Sequence, residues 1–227
     1  MHTTHPRAAA RITALTLAAA LALAPAAQAA YVFDDVAGHW AEQDIAALAS
    51  GDILQGADGH FRPDDPITRG EMAVVMARLL DLTEEAEDIF KDLDDGFYRH
   101  AVLCCFQVGV MKGDHKIDNE KKAFRPRDPI TREEAALTLA RAFEIAEDAA
   151  GADVFSDCDG IALWAAGAVG GLAARGFALG RDDGSFDPKA TITRAEVAAL
   201  ICRLQAAQSD AGEQLEEAAP PDGADKN

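Results

Sequence analysis

Basic residues are scarce in this chain. Its 227 residues include 21 Lys and Arg against 39 Asp and Glu, which gives a formal net charge of −18. Nucleic acids and anionic lipid surfaces attract proteins through clustered positive charge, and no basic run interrupts the acidic composition. The composition therefore excludes nucleic acid and anionic membrane surfaces as partners.

Cysteine is also infrequent. The chain has Cys104, Cys105, Cys158 and Cys202, and their positions lack the paired spacing of a metal site. Adjacent cysteines such as the first two do not form an easy disulfide with each other. Three interpretations of the cysteines stay open: buried thiols, one disulfide that includes Cys158, or a metal site. We favour buried thiols.

Catalytic sequence motifs are missing as well. The chain has no G-x-S-x-G, no H-E-x-x-H and no phosphate-binding G-x-x-x-x-G-K-[ST] motif. The acidic turn at residues 181–184 lacks the twelve-residue ligand series of a calcium loop. The sequence predicts a protein that is not an enzyme and that needs no cofactor or metal ion.

Long apolar runs are confined to the N-terminus. Basic residues come first, an apolar segment covers residues 12–24, and Ala27, Gln28 and Ala29 form a small-residue cleavage site. The apolar segment is too short to span a bilayer. We predict that residues 1–29 are an export signal and that the mature chain is exported without a transmembrane segment.

Three nearly identical stretches organise the remainder of the chain. Residues 66–71, 129–134 and 191–196 read PITRGE, PITREE and TITRAE. Each places a threonine three residues before a glutamate and ahead of an apolar run, which is the pattern of a capping box. Each stretch is therefore predicted to begin a helix.

The capping box does not explain the arginine that follows each threonine. Arg69, Arg132 and Arg194 put a cation at a helix N-terminus, where it opposes the helix dipole at about 0.3–1 kcal/mol when exposed. One explanation is a structural salt bridge to a nearby carboxylate. The other is that each guanidinium faces a groove and binds an anionic ligand through two hydrogen bonds.

The same register extends on both sides of these stretches, with a period of roughly 55–65 residues. Each repeat opens with a phenylalanine and then an aspartate, Asp35, Asp92 or Asp157, which we interpret as a helix cap. A short amphipathic helix and a glycine-rich loop follow, and the second helix is apolar nearly all round. The sequence predicts a mainly α fold with repeats at 30–82, 88–145 and 153–205, followed by an acidic disordered tail at 206–227.

These residues resemble the S-layer homology (SLH) family over about residues 31–205. The resemblance rests on the opening Phe-x-Asp, the Trp that follows, the Phe-x-Pro element and the Ile-Thr-Arg-Ala-Glu helix start. It implies three repeats in a pseudo-threefold, three-pronged spindle around a central three-helix bundle. It also implies non-covalent anchoring to the cell wall by binding a secondary polysaccharide attached to peptidoglycan, an anionic polymer that often carries a pyruvate ketal.

Carried over by position, the resemblance assigns ligand contacts to the three arginines and to two further sets of side chains. Trp40 and Trp164 are candidates for stacking on sugars, with a core role as the alternative. The three aspartates are candidates for bonding sugar hydroxyls, with capping as the alternative. These candidate residues are Arg69, Arg132, Arg194, Trp40, Trp164, Asp35, Asp92 and Asp157.

Some positions depart from the family pattern. Phe97 replaces the tryptophan in the second repeat, and Gly70 and Glu133 replace the alanine beside the arginine. Because a carboxylate at Glu133 could neutralise Arg132, we expect that not every groove binds. The alternative function is a cell-surface scaffold whose partner is another exported protein.

Overall fold

The computed structural model describes residues 33–114 and 122–217, with side chains described as far as residue 210. The predicted export signal at 1–29 lies outside the described residues, as do residues 115–121 of the second repeat's loop and the last ten residues. The described residues contain isolated β-bridges and no β-strand, so the predicted mainly α class is confirmed. The helices are α1 (Glu42–Ser50), α2 (Arg69–Leu79), α3 (Arg99–Val108), α4 (Arg132–Ala142), α5 (Leu163–Ala173) and α6 (Arg194–Glu217), with 3-10 helices at Ala149–Val154 and Cys158–Gly160.

The three capping boxes form as predicted. At the start of α2, Glu71 N–H donates to Thr68 Oγ1 over 3.2 Å, and Thr68 N–H donates to Glu71 Oε2 over 2.8 Å. The same reciprocal pairs occur at the starts of α4 and α6. Each box fixes the helix to begin at the motif arginine.

A ring of backbone hydrogen bonds joins the three repeats where these helices begin. Ile67 N–H donates to Ile192 O over 3.2 Å, Ile192 N–H to Ile130 O over 3.2 Å, and Ile130 N–H to Ile67 O over 3.0 Å. All three isoleucines are buried. The ring closes only because the third repeat returns to the first.

Helix packing follows the same cyclic order. Among the α-helices, α2 packs on α3, α4 on α5, and α6 on α1, so the second helix of each repeat packs on the first helix of the next repeat. The three-pronged spindle around a central three-helix bundle remains a prediction from the family resemblance.

The opening aspartates do not cap helices, and that prediction is wrong. Asp35 accepts the N–H groups of Phe61 (2.8 Å) and Arg62 (2.7 Å), at a point where the backbone of Arg62 has φ of +58°. Helix α1 begins seven residues after Asp35 and has Ala41 at its N-cap, without a side-chain cap. Asp92 and Asp157 make the equivalent pairs of bonds in the other repeats. Each aspartate therefore holds the returning arm of the loop in its own repeat.

Each loop also closes over a pair of phenylalanine rings. The ring centroids of Phe90 and Phe124 lie 5.4 Å apart, and the other repeats have equivalent pairs. A Cβ added at Gly113 would lie 2.5 Å from Phe90 Cε1, so the loop backbone passes too close to the ring for a side chain. This contact explains the glycine at that position in each repeat.

Two helical segments lie where the sequence predicted none. The segment between the second and third repeats packs as a 3-10 helix against α5, where a Cβ on Gly170 would lie 1.9 Å from Asp148 O. Helix α6 continues to Glu217, so residues 206–217 of the predicted disordered tail are helical. The helix continues because this stretch lacks proline and consists mostly of good helix formers.

Asp35→Asn is expected to reduce the free energy of unfolding by about 1–3 kcal/mol, because an amide keeps only one oxygen to accept two backbone N–H groups. Urea denaturation would measure the change. The neighbouring exposed Asp34, changed to Asn, is the matched control and should leave stability nearly unaltered. Equal effects at both positions would contradict the assigned role of Asp35.

Candidate functional site

The three motif arginines are buried between repeats, with 4–8% of each residue exposed. Arg132 donates from Nε to Phe186 O (2.8 Å), from Nη1 to Glu196 Oε1 (2.9 Å) and from Nη2 to Leu179 O (3.5 Å). Its guanidinium also lies over the Phe186 ring, 5.2 Å from the centroid. One arginine of the second repeat therefore binds the loop and the capping box of the third.

Arg69 and Arg194 repeat this arrangement at the other two interfaces. Arg69 donates to Phe124 O over 2.8 Å and lies 3.1 Å from Glu134 Oε1. Arg194 donates to Phe61 O over 2.8 Å, and its Nη1 lies 3.7 Å from an oxygen of the first repeat's capping glutamate. The geometry thus contains the salt bridge that was one explanation for these arginines.

Burial and charge act on the guanidiniums in opposite directions. Burial lowers the pKa of Arg132, and the adjacent Glu196 carboxylate opposes that shift. Arg69 and Arg194 have their pKa lowered for the same reason, with opposition from their own glutamates. The glutamate of each capping box therefore has two functions, since it caps a helix and supports a buried cation.

A second arginine approaches each of these glutamates, and the sequence analysis did not identify it. Arg125 Nη2 lies 2.7 Å from Glu134 Oε1, and Arg181 Nη1 lies 2.7 Å from Glu196 Oε1. In the first repeat, Arg62 Nη2 is 4.0 Å from Glu71 Oε1. A Phe-Arg-Pro sequence in the first two repeats was the available signal, but the third repeat has Phe-Asp-Pro and supplies its arginine from position 181.

A groove of 170 Å³ lies beside Arg132 and is bounded by parts of all three repeats. Trp40 comes from the first repeat, Arg132 from the second, and Arg181 and Arg203 from the third. Glu196 is the one carboxylate among its lining residues, which are Trp40, Arg132, Ala136, Leu172, Ala178, Leu179, Gly180, Arg181, Phe186, Ile192, Glu196, Ala199, Leu200 and Arg203. An aromatic ring and excess positive charge therefore meet in one concave surface.

The aromatic residues at the family's tryptophan position are exposed, so they do not have the core role that was their alternative. The exposed fraction is 62% for Trp40, 74% for Phe97 and 53% for Trp164. Only Trp40 is among the residues that line the Arg132 groove. Its indole can contact a ligand there without any change in the core.

Glu133 does not neutralise Arg132, and that expectation is wrong. Its carboxylate pairs with Lys189 Nζ and accepts the N–H of Ala162, at the N-cap of α5, over 3.0 Å. The side chain points away from Arg132 because adjacent positions on a helix do not face each other. Arg132 is balanced by Glu196 instead.

The four cysteines are free thiols. Cys104 and Cys105 are buried, which agrees with the favoured interpretation, while the other two are partly buried. Burial raises the pKa of the Cys105 and Cys202 thiols to about 12. These two thiols stay protonated near neutral pH, so they are poor nucleophiles and poor metal ligands.

Within residues 33–114 and 122–217, His, Cys, Asp and Glu side chains form no cluster of three that could hold a metal ion. The same part of the chain has no helix with the length and apolar character needed to cross a membrane. The Arg132 groove, with its arginines and exposed indole, is the candidate site for a ligand.

The cyclic fold defines a class of three-repeat helical modules in which the motif arginine of one repeat contacts the loop of the next. The sequence profile of the S-layer homology domain matches residues 32–73, 118–136 and 154–198, one segment in each repeat. The chain belongs to the S-layer homology domain family. This membership makes it a cell-surface anchoring module and confirms the predicted exported, cell-surface location.

Several curated proteins resemble the chain. The S-layer protein of Bacillus licheniformis is 32% identical over 198 residues, covering 84% of this chain and 22% of that protein. S-layer protein EA1 of Bacillus anthracis is 30% identical over the same coverage of 84% and 22%. An amylopullulanase of Thermoanaerobacterium thermosulfurigenes is 35% identical over 179 residues, which are 76% of this chain and 9% of the enzyme.

The chain thus spans less than a quarter of the length of each of these three relatives. The segment that it shares with the amylopullulanase also occurs in S-layer proteins, so the similarity to the enzyme is no indication of catalysis.

Arg132→Ala is expected to reduce the free energy of unfolding by about 3–5 kcal/mol, because Glu196 would lose its buried partner and two carbonyl groups would lose a donor. The exposed Arg203, changed to Ala, is the control and should alter stability by no more than about 0.5 kcal/mol. Chemical denaturation followed by circular dichroism would separate the two. Similar small losses in both variants would show that Arg132 is not structural.

The Glu134 carboxylate should make stability depend on pH. Burial raises its pKa, but the Arg69 charge, the Thr131 N–H and Arg125 outweigh that effect, so its pKa is lower in the folded state than the ordinary 4.5. Its contribution to stability is therefore fully present above pH 4.5 and is lost as the pH falls through the folded-state pKa.

We expect the difference in free energy of unfolding between the wild type and Glu134→Gln to be constant above about pH 5.5 and to shrink below about pH 4.5. Urea titrations at a series of pH values would measure it. Glu133 is also buried and paired, so Glu133→Gln is not a suitable control. The exposed Glu144, changed to Gln, is the control. A difference that grows on acidification would contradict the assignment.

Proposed function

We propose that the chain anchors to the cell wall without a covalent bond by binding an anionic secondary polysaccharide in the grooves between its repeats. The polymer class is one whose sugars carry a carboxylate, as in a pyruvate ketal. The observation that carries the proposal is the Arg132 groove, where an exposed indole lies beside three guanidinium groups. Planar carboxylates suit guanidinium groups, and sugar rings suit aromatic faces.

We assign a more specific role to each residue that the family resemblance marked as a ligand contact. Trp40 is the residue that stacks on a sugar in the Arg132 groove, and Trp164 occupies the equivalent position of the third repeat. Arg69, Arg132 and Arg194 supply positive charge at the three interfaces between repeats from buried positions. Asp35, Asp92 and Asp157 support the grooves indirectly, since their carboxylates hold the backbone of the loops that form the groove walls.

The negative net charge of the chain is compatible with an anionic ligand. A charge of −18 repels a polyanion at long range, but salt screens exposed charges beyond about 8–10 Å. The guanidiniums act on a bound carboxylate at contact distance, where screening is weak. Moderate salt should therefore leave binding unchanged or improve it.

Co-sedimentation with cell walls of the source organism tests the proposal. Residues 30–227 should pellet with native walls and should stay in the supernatant after hydrofluoric acid has removed the secondary polymer. Trp40→Ala should weaken wall binding about tenfold, which corresponds to roughly 1.4 kcal/mol. Leu163→Ala is the matched control, because Leu163 is almost fully exposed but does not line the groove.

If the wild type stays in the supernatant with native walls, the proposal is wrong and the repeats are a scaffold for another exported protein. If the protein pellets equally well with stripped walls, it binds peptidoglycan itself and the secondary polymer is not its ligand. Arginine substitutions at the repeat interfaces are avoided in this test, because loss of folding would imitate loss of binding.

A further inference from the structure

The three interfaces between repeats differ in the residues that are free to contact a ligand. The Arg132 groove is the one described above, and the names Arg69 groove and Arg194 groove are used here for the equivalent surfaces at the other two interfaces. The motif arginine is similar in each, and its Nε, Nη1 and Nη2 atoms are all within contact distance of protein oxygens. A difference in binding must therefore come from the side chains that surround it. Arg203 recurs as Arg78 and Arg141, nine residues after the motif arginine in each repeat, whereas the residues at the loop and aromatic positions differ between repeats.

In the Arg132 groove, two other arginines are available. Arg181 has 39% of its side chain exposed, and its second carboxylate contact, to Asp187, is long at 3.8 Å. Arg203 is exposed, and it donates to Phe177 O over 3.5 Å, at the limit for a hydrogen bond. Arg203 can turn toward a ligand without losing a short contact. Arg181 can also turn, and the one short contact that it would lose is the salt bridge to Glu196.

The residue that directly follows the loop glycine differs between the repeats. It is Ala57 after Gly56, Asp114 after Gly113 and Arg181 after Gly180. Asp114 Oδ2 lies 3.0 Å from Arg125 Nε in the Arg69 groove, where the third repeat has the reverse pair of Arg181 and Asp187. The charges at these two loop positions are therefore exchanged between the second and third repeats.

This exchange determines which groove can accept an anion. In the Arg69 groove, Arg125 is surrounded by Asp114, Asp128 and Glu134, at 3.0, 3.7 and 2.7 Å. These three carboxylates face two guanidiniums, those of Arg125 and Arg69, so negative charge outweighs positive charge within this cluster and disfavours an anion. The exchange places an arginine, instead of an aspartate, on the loop that forms the wall of the Arg132 groove.

The Arg194 groove lacks two of the features. The loop position has Ala57 in place of an arginine, and the aromatic position has Phe97, which packs edge-on against Tyr98 with ring centroids 5.3 Å apart. An arginine at the loop position and an indole at the aromatic position therefore occur together only at the Arg132 groove among the three.

We propose that the Arg132 groove is the anion-binding site of this chain and that Arg181 and Arg203, rather than the motif arginine, contact the carboxylate of the ligand. Each chain then binds one charged sugar through this groove, and the other two grooves serve the fold. This inference rests on the proposed function, which it narrows to one groove and two contact residues, of which Arg181 is the one that distinguishes this groove from the others.

Matched double variants test it with the same chain and native cell walls. Arg181→Ala with Arg203→Ala removes the two proposed contacts. Arg62→Ala with Arg78→Ala removes the two exposed arginines of the Arg194 groove and is the control. We expect wall affinity to fall at least about tenfold in the first variant and to stay within about twofold of the wild type in the second, with similar melting temperatures.

A second arm tests the charge of the ligand. Walls whose carboxylates have been converted to neutral methylamides with carbodiimide and methylamine should bind the wild type as weakly as native walls bind the Arg181→Ala, Arg203→Ala variant. Unchanged affinity for amidated walls would overturn the anion assignment. Equal losses in the two double variants, or a loss only in the control, would overturn the choice of groove.

These failures differ from failure of the proposed function. If the inference alone is wrong, the wild type still pellets with native walls and the two arginines do not matter. If the proposed function is wrong, the wild type does not pellet with native walls at all, and the inference fails with it.

Discussion

The cyclic link from a buried arginine of one repeat to the loop and capping glutamate of the next is the interaction on which the structure depends. A cation at a helix N-terminus is unfavourable by itself. Here the guanidinium extends into the neighbouring repeat, where carbonyl oxygens and a carboxylate surround it, as Arg132 does at Phe186 and Glu196. Because the third repeat makes the same contact with the first through Arg194 and Phe61, no interface is left open. A fragment of two repeats would leave one motif arginine without its partners and would leave one capping glutamate with a single arginine in place of two.

This link also connects folding with the groove. The loop that receives the arginine forms one wall of the groove, and the aspartate that opens each repeat holds the same loop from the other side. The position of Arg181 therefore depends on contacts that are mostly backbone and that are identical in all repeats. A substitution at Asp157 or Arg132 would displace the groove even though neither residue is an exposed ligand contact. Stability has to be measured beside binding for this reason.

Local order was predictable from the sequence, whereas partners were not. The capping boxes at Thr68 and Thr131 join residues three apart, so a short pattern identifies them. The contacts of Asp35 reach residues 26 and 27 positions away, and those of Arg194 reach 133 and 139 positions back. No local pattern shows which partner a charge will find at such distances. The sequence predicted that Glu133 neutralises Arg132 only because the two residues are adjacent. Their side chains point in different directions and have other partners.

The residues that hold the repeats together are different from those proposed to contact the ligand. This difference explains how nearly identical repeats can differ in function. The motif arginine uses its nitrogen atoms on backbone carbonyls and one glutamate, and a change there would weaken the ring of repeats. The residue after the loop glycine does not join the repeats. It can be Ala57, Asp114 or Arg181, and in each case its backbone N–H donates to the carbonyl group that precedes the loop phenylalanine. The capping glutamate keeps an arginine partner in both of the charged arrangements. In the second repeat this partner is Arg125, after the loop phenylalanine, and in the third repeat it is Arg181, after the loop glycine. Specificity for an anion can therefore be gained or lost in one repeat without a change in the contacts that hold the three together.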